Sequence, residues 1–248
     1  MLFRSNPAIP VVREGQEVQR GECIAQADGF LSVAMHAPVT GVVRRIGLVP
    51  VASGKLVKGI YIETMPASTQ EVARGRGCAL ESSPESIVNA IQQAGIVGLG
   101  GAAFPTHAKL KAPDGNLIDT LIINGVECEP YLTTDHRVML EQGESIVLGI
   151  RYLMKASGAR RAIIGVEANK QDAAEHLSTL IPDDLAIDLA VVPVKYPQGA
   201  EKMLVKTALG REIPSGGLPL DVGAVVINVA TAAEVGMLLP HEIGRAHV

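Results

Sequence analysis

From residue 84 onward, apolar runs rich in Ile and Val alternate with segments whose apolar residues recur at helical spacing. Among the strand-like runs are TLIIN, RAIIGV and AVVIN, and each precedes a helix-like segment. Strands and helices that alternate in this way form βα units, in which helices cover both faces of a parallel sheet. We therefore expect a Rossmann-like, mainly parallel α/β domain over residues 84–242.

Two local patterns refine this prediction. Ser83 supplies a capping hydroxyl and Pro84 suits the first helical turn, so a helix is predicted to begin there. The segment RVMLEQGESIVLGIRYLMKA predicts a single helix over residues 137–156. Residues 66–83 are polar and contain Gly, Ser and Pro, which predicts a linker ahead of the domain.

Residues 6–65 instead contain short Val- and Ile-rich runs separated by Gly and Pro, a pattern typical of a compact all-β module. Two pieces, VxxGxxVxxG from Val12 and APxxGxV from Ala37, recur in lipoyl-like and biotinyl-like domains. We expect a barrel-sandwich module that is truncated at its N-terminus. Those domains carry their cofactor on a lysine, but no lysine lies between Arg20 and Arg44. The module is therefore predicted to be structural and to dock onto its neighbour.

Composition argues against several functional classes. A hydrophobic fraction of 47% with a net charge of -4 indicates a soluble globular protein. With 3% aromatic residues, no Trp and a mildly acidic balance, nucleic acid is not expected as a partner. No apolar stretch reaches the roughly 20 residues of a membrane-spanning helix. The three cysteines, Cys23, Cys78 and Cys128, are far apart and lack CxxC spacing, so no metal site is expected.

Both ends of the chain are interpreted as foreign to the natural protein. Residues 1–5 and 243–248 resemble translated sequencing adapters. We therefore expect an internal gene fragment whose natural polypeptide continues on both sides.

A glycine-rich segment, GIVGLGGAAFPT, precedes Lys109. Its small residues open the backbone amides to a flat or phosphorylated ligand, and a helix starting after it would add its positive end. Lys109 would then meet a phosphate as a point charge. The alternative is a turn whose small residues only permit tight packing. Because no strand immediately precedes it, the segment is not a dinucleotide-binding fingerprint.

Three further polar segments follow predicted strands: NGVECEP after TLIIN, KYPQGAEK after AVVPV, and NVAT after GAVVIN. Ligands of open α/β sheets bind beyond the carboxyl ends of strands, so we expect these segments to converge on one crevice. Glu127 and Glu129 suit ribityl hydroxyls or a nicotinamide amide, with a solvated acidic loop as the alternative. Ordinary helix capping is the alternative for the other two segments. Cys128 is expected to pack as a small apolar side chain.

Three segments closely resemble the RnfC component of the Rnf electron-transport complex: GLGGAAFPTHAKL, IINGVECEPYLTTDHRVM and KYPQGAEKMLVKTALGREIPSGGLPLDVG. More distantly, they are similar to the FMN- and NADH-binding subunit of respiratory complex I. The resemblance implies a peripheral subunit on the cytoplasmic side of the inner membrane, exchanging electrons between NAD(H) and bound FMN. It implies the other subunits of an ion-translocating complex as partners, with ferredoxin as an indirect electron partner. It also implies two [4Fe-4S] clusters in a part of the protein that follows this chain.

Matched residue by residue, the resemblance implies a cofactor-binding role for Gly98, Gly100, Gly101, Lys109, Asn124, Glu127, Glu129, Tyr196, Gly199, Glu201, Asn228 and Thr231. Phe104 is added because it and Tyr196 are suited to flank a flavin ring. No catalytic acid or base is expected, since the hydride transfer is the chemistry of the flavin.

The sequence also departs from the pattern of the complex I relative. Leu99, Val126 and Ala200 stand where that relative has an arginine, an aspartate and a glutamate. Two other functions therefore remain open: a flavin-dependent cobalamin reductase, and a non-catalytic docking subunit that has lost its flavin.

Overall fold

A computed structural model describes residues 6–51, 54–73, 77–112 and 117–241. The adapter-like segments at residues 1–5 and 243–248 lie outside the described residues. A small β module precedes an α/β domain with a parallel sheet, which confirms the predicted fold class.

The N-terminal module is built from two antiparallel sheets. Its strands are β1 (Ile9–Pro10), β2 (Glu17–Val18), β3 (Cys23–Gln26), β4 (Met35–His36), β5 (Gly41–Pro50) and β6 (Leu56–Thr64). One sheet has the order β1-β3-β4 and the other β2-β5-β6. Val18, Ile24 and Val43 come from both sheets and meet in a small buried core. The module is thus a barrel sandwich, as predicted.

The elements of the α/β domain are α1 (Pro84–Gln93), α2 (Thr106–Lys109), β7 (Thr120–Gly125), α3 (Thr134–Glu141), α4 (Gly143–Ser157), β8 (Arg161–Glu167), α5 (Gln171–Leu180), β9 (Ile187–Val192), α6 (Glu201–Leu209), β10 (Ala224–Asn228) and α7 (Val229–Leu238). The strands are parallel in the order β10-β7-β8-β9. Leu121, Ile122 and Ile123 of β7 are all fully buried, as expected for a sheet covered on both faces. Within the described residues, no helix is both long and apolar enough to cross a membrane.

The predicted helix start at Ser83 is confirmed, because the Ser86 amide donates to Ser83 Oγ at 3.2 Å. The single helix predicted over residues 137–156 is wrong. The chain forms α3 and α4 instead, with a non-helical Gln142 between them. At Gly143 the backbone approaches α5 so closely that a Cβ would lie 2.4 Å from Leu180 Cδ1. This contact with α5, which no local pattern reports, lies directly at the break between α3 and α4.

The segment predicted as a linker, residues 66–83, packs against both parts of the chain. The Ala73 amide donates to the carbonyl oxygen of Arg20 in the β module at 2.7 Å. The Cys78 amide donates to the carbonyl oxygen of Leu239 at the end of the α/β domain at 2.8 Å. The two halves of this segment are therefore fixed to different parts of the protein.

Candidate functional site

The carboxyl edge of the parallel sheet brings two asparagines side by side. β7 and β10 are neighbouring strands, and Asn124 is the direct partner of Asn228 in their register. Because parallel strands end at the same edge, the loops that follow β7 and β10 start from adjacent points. The two polar segments that begin at these asparagines therefore meet, as the sequence predicted.

Both asparagine side chains connect chain segments to one another. Asn228 caps α7 by accepting the Ala230 amide at 2.9 Å, and its Nδ2 donates to Asp135 Oδ2 at 2.7 Å. Asn124 Nδ2 donates to the Gly199 carbonyl oxygen at 2.9 Å, which joins the end of β7 to the loop before α6. These contacts give both asparagines a positioning role.

The glycine-rich loop lies over the start of α7. Its two ends are joined by a hydrogen bond from the Gly98 amide to the Phe104 carbonyl oxygen at 2.8 Å. The Leu99 amide donates to Thr231 Oγ1 at 3.0 Å. A Cβ on Gly100 would be 3.6 Å from Asn228 Cβ, so the loop also rests directly beside the carboxyl end of β10.

The tip of this loop presents backbone amides to solvent. Gly100 and Gly101 are exposed, and within the described part of the chain no hydrogen bond engages their amides. Gly101 has φ +109, which is strained for any other residue, and open space where a Cβ would stand. The helix expected after the loop is α2, but it consists of a single turn. An anion at this loop would therefore be bound by the backbone amides more than by a helix dipole.

Lys109 links the glycine-rich segment to the segment after β9. Its Nζ donates to Glu201 Oε1 at 2.6 Å and to the Val226 carbonyl oxygen at 3.2 Å. An ammonium group has three N–H donors, so one of them remains for a ligand. The side chain is about one-third exposed, which leaves this donor accessible.

Glu127 is buried and engaged within the protein. Its carboxylate accepts the Asp135 amide at 2.8 Å and the His136 amide at 3.0 Å, which fixes the start of α3. Lys170 Nζ lies 2.9 Å from Glu127 Oε2. Burial alone would raise the pKa of Glu127, but the Asp135 amide and the Lys170 ammonium together lower it. This geometry favours a positioning role, in place of the expected contact with ligand hydroxyls.

Lys170 also contacts a second buried carboxylate. Its Nζ is 3.2 Å from Glu167 Oε2, at the carboxyl end of β8. Neither Glu167 nor Lys170 was predicted from the sequence. Glu167 could have been identified in the sequence as a polar residue at the end of a predicted buried strand. The local sequence around Lys170 gives no comparable signal.

Asp135 is a third residue that the sequence analysis missed, although it lies within one of the family-like segments. Burial, together with the negative charges of Glu127 and Glu129, raises the pKa of Asp135 to about 6. The hydrogen bond from Asn228 and the positive charge of Lys170 partly offset this rise. Asp135 therefore loses its proton near pH 6, and its partner Asn228 lies next to the glycine-rich loop.

Replacing Asp135 with Asn is expected to stabilise the protein above pH 6 by about 1–2 kcal/mol. Between about pH 4 and 6 the folded state holds a proton that the unfolded state has lost, so the parent protein becomes less stable as pH rises. Asparagine cannot ionise and still accepts a hydrogen bond from Asn228. Urea unfolding of D135N and the parent at pH 4 to 8 measures this, with exposed Asp188→Asn as control. A difference that stays constant with pH would contradict it.

The remaining predicted site residues differ in accessibility. Glu129, Tyr196 and Glu201 are exposed, with Tyr196 at 73%, and Phe104 is partly buried. Gly199 packs so tightly that a Cβ would lie 2.6 Å from the Val126 carbonyl oxygen. The site thus combines accessible groups with groups that hold the loops together.

Two of the positions that depart from the complex I pattern differ in their surroundings. Val126 is buried against Leu204 in the apolar cluster on one face of the sheet, where a carboxylate would be desolvated. Ala200 stands at the start of α6 and is exposed. Cys128 packs partly buried against the same cluster, which agrees with the predicted apolar role.

Two family models match the chain. Residues 91–237 match the Nuo51 FMN-binding domain, and residues 4–66 match the RnfC barrel sandwich hybrid domain. The first match contains the glycine-rich segment and the three polar segments that follow β7, β9 and β10.

Among curated proteins, the chain is 43% identical over 230 residues to an RnfC-like component of the Na(+)-translocating ferredoxin:NAD(+) oxidoreductase complex of Acetobacterium woodii. It is 41% identical over 238 residues to the counterpart in the proton-translocating complex of Clostridium ljungdahlii. Each match covers 92% of this chain and 52% or 50% of the relative, so the chain spans about half the length of these relatives.

A solved structure titled as an NAD+-reducing [NiFe]-hydrogenase in the air-oxidized state shares the fold with a TM-score of 0.54. The identity is 23%, and the match covers 66% of this chain and 31% of the hydrogenase chain. At this identity the likeness concerns the fold alone.

Proposed function

Because the chain belongs to the Nuo51 FMN-binding domain family, we propose that it holds FMN at the carboxyl edge of β7 and β10. The bound FMN exchanges electrons with NAD(H). As in its relatives, the chain forms part of an ion-translocating ferredoxin:NAD(+) oxidoreductase complex, with the other subunits as partners and ferredoxin as an indirect one. It works as a peripheral subunit on the cytoplasmic side of the inner membrane. The longer protein carries two [4Fe-4S] clusters beyond this chain.

The observation that carries the proposal is the meeting of four segments that are distant in sequence. The Leu99 amide bonds to Thr231, and Lys109 pairs with Glu201. Asn124 bonds to Gly199, and its strand partner is Asn228. Every segment that the resemblance implicates thus contacts another at one edge of the sheet.

The residues at this edge fit FMN. Exposed amides at Gly100 and Gly101 and the remaining N–H of Lys109 are donors for a phosphate or for flavin carbonyls. The absence of side chains at the two glycines lets a flat ring approach the backbone. When bound, FMN supplies both hydride and one-electron chemistry.

The chain itself contributes binding and orientation. Lys109 offsets phosphate charge, while Phe104 and Tyr196 offer aromatic surface beside the ring. Glu129, which is exposed, suits a hydroxyl or the nicotinamide amide. Asn124, Glu127, Asn228 and Thr231 hold the loops in place through the contacts described above.

Titration of the purified chain with FMN tests the proposal. Binding quenches flavin fluorescence, and NADH added without oxygen then bleaches the visible absorbance of the flavin in a complex that is competent for electron exchange. A chain that fails to bind FMN, together with a longer natural subunit that also fails, would favour the docking subunit. Rapid reduction of cob(III)alamin by NADH through the flavin would favour the cobalamin reductase.

Lys109→Met is expected to weaken FMN binding by about 1.5–3 kcal/mol, or roughly ten- to a hundredfold, because it removes a charge-assisted hydrogen bond. Fluorescence titration gives the dissociation constant. Lys206→Met is a matched control, since Lys206 is likewise paired with a glutamate but lies on the exposed surface of α6. Equal dissociation constants for K109M and the parent would remove Lys109 from the site.

A further inference from the structure

A loop of the N-terminal β module, residues 29–34, is anchored to the α/β domain. The side-chain amide of Gln92 on α1 donates to the carbonyl oxygens of Gly29 at 3.0 Å and Ser32 at 2.9 Å. The Ala34 amide donates to the Gln92 carbonyl oxygen at 3.2 Å. The loop therefore has a fixed position relative to α1.

The same loop contacts α2 through His107. This histidine is 1% exposed, and its Nε2 lies 2.7 Å from the Phe30 carbonyl oxygen. A carbonyl oxygen only accepts, so the proton must be on Nε2. The Phe30 ring meets the His107 ring edge-on, with centroids 5.3 Å apart. Burial lowers the pKa of His107, which keeps the imidazole neutral at neutral pH.

His107 and Lys109 share the single turn of α2. One turn of helix has almost no stability of its own, because nucleation costs more than its few hydrogen bonds return. The position of α2 therefore depends on its contacts with neighbouring elements. One of its side chains, that of His107, is held by the β module, and another is Lys109, whose ammonium contacts Glu201 and Val226.

We propose that the N-terminal β module positions the lysine of the flavin site, through the contact between Phe30 and His107. This inference rests on the proposed function, because it assigns His107 as a positioning residue for FMN binding. The module acts without touching the ligand: it holds α2, and α2 holds Lys109 at the distance at which its ammonium meets Glu201 and Val226. The barrel-sandwich module, which has no lysine between Arg20 and Arg44 for cofactor attachment, would then contribute to ligand binding by positioning α2.

Three variants of the chain test the proposal by FMN fluorescence titration. His107→Leu, which lacks the donor, is expected to weaken binding about tenfold. His107→Gln, whose amide donates from a similar position, is expected to stay within about threefold of the parent. In combination with Lys109→Met, His107→Leu should weaken binding little further, because a residue that acts through Lys109 cannot add to its loss.

Phe30→Ala provides a second route if His107→Leu does not fold, since Phe30 is half-exposed and its truncation is tolerable. It should weaken FMN binding, whereas Leu31→Ala, a similarly exposed neighbour, should not. Additive effects of H107L and K109M, or affinity unchanged in both H107L and F30A, would overturn the inference while leaving the proposed function intact. A parent chain that does not bind FMN would overturn both.

Discussion

Replacing Lys170 with Met is expected to lower the free energy of unfolding by about 3–5 kcal/mol at pH 8. The ammonium of Lys170 lies between two buried carboxylates, 2.9 Å from Glu127 Oε2 and 3.2 Å from Glu167 Oε2. All three side chains are at most 6% exposed. Methionine fills a similar volume but leaves two carboxylates facing each other without a counter-charge.

The loss in K170M should depend on pH. Without the ammonium, burial and mutual repulsion favour the uptake of a proton by this pair of carboxylates in the folded state. The folded variant then binds protons that the unfolded chain has released, so its stability falls as pH rises and recovers toward pH 5. Urea unfolding of the variant and the parent at pH 5 and pH 8 measures this difference.

Two further variants separate charge from packing. Adding Glu167→Gln to K170M removes one of the uncompensated carboxylates and should recover part of the stability at pH 8. Lys206→Met breaks a lysine–glutamate pair on the surface and should change little. A K170M variant as stable as the parent at pH 8 would contradict this prediction. It would mean that the ion pairs of Lys170 with Glu127 and Glu167 do not stabilise the folded protein.

The carboxyl edge of the sheet was predictable from the sequence, because apolar runs joined by helical connections predict parallel strands. TLIIN and AVVIN form the neighbouring strands β7 and β10. Two polar segments that directly follow buried strands of a parallel sheet have to emerge at one edge. The meeting of Asn124 and Asn228 is a direct consequence of this geometry.

The assignment of each polar side chain was less predictable. Glu127 and Glu129 are two residues apart, yet one is buried on Lys170 and the other is exposed. This difference depends on the course of the loop and on a lysine 43 residues further along the chain. A pattern of residue types shows which groups are near the edge, but only tertiary contacts decide which of them face a ligand.

Close backbone approach is a second feature that the sequence did not disclose. In a helix, glycine is less favourable than alanine by about 1 kcal/mol, so Gly149 in α4 and Gly236 in α7 count against helix formation when propensity alone is considered. The folded structure explains both. A Cβ on Gly149 would lie 1.8 Å from the Ala232 carbonyl oxygen, and one on Gly236 would lie 1.9 Å from that of Ser145.

Gly236→Ala is therefore expected to destabilise the protein by about 3 kcal/mol, against a gain of about 1 kcal/mol from helix propensity. The added methyl forces α7 away from α4, and α7 carries Asn228 and Thr231 at its start. Gly149→Ala should have a similar effect. The variant with both substitutions should lose less free energy of unfolding than the sum of the two single losses, because a single increase in the distance between α4 and α7 accommodates both methyl groups.

Urea unfolding gives the free energies, and Gly47→Ala is a control because its nearest contacts are with the flexible side chain of Arg45. The sign of the change in the free energy of unfolding of G236A shows whether helix propensity or the close packing of α4 and α7 dominates. A stabilised G236A would mean that propensity dominates and that α4 and α7 are further apart than described. A destabilised variant with weakened FMN binding would show that the packing of α7 against α4 determines the position of the glycine-rich loop. The loop would move with α7 because the Leu99 amide donates to Thr231 on that helix.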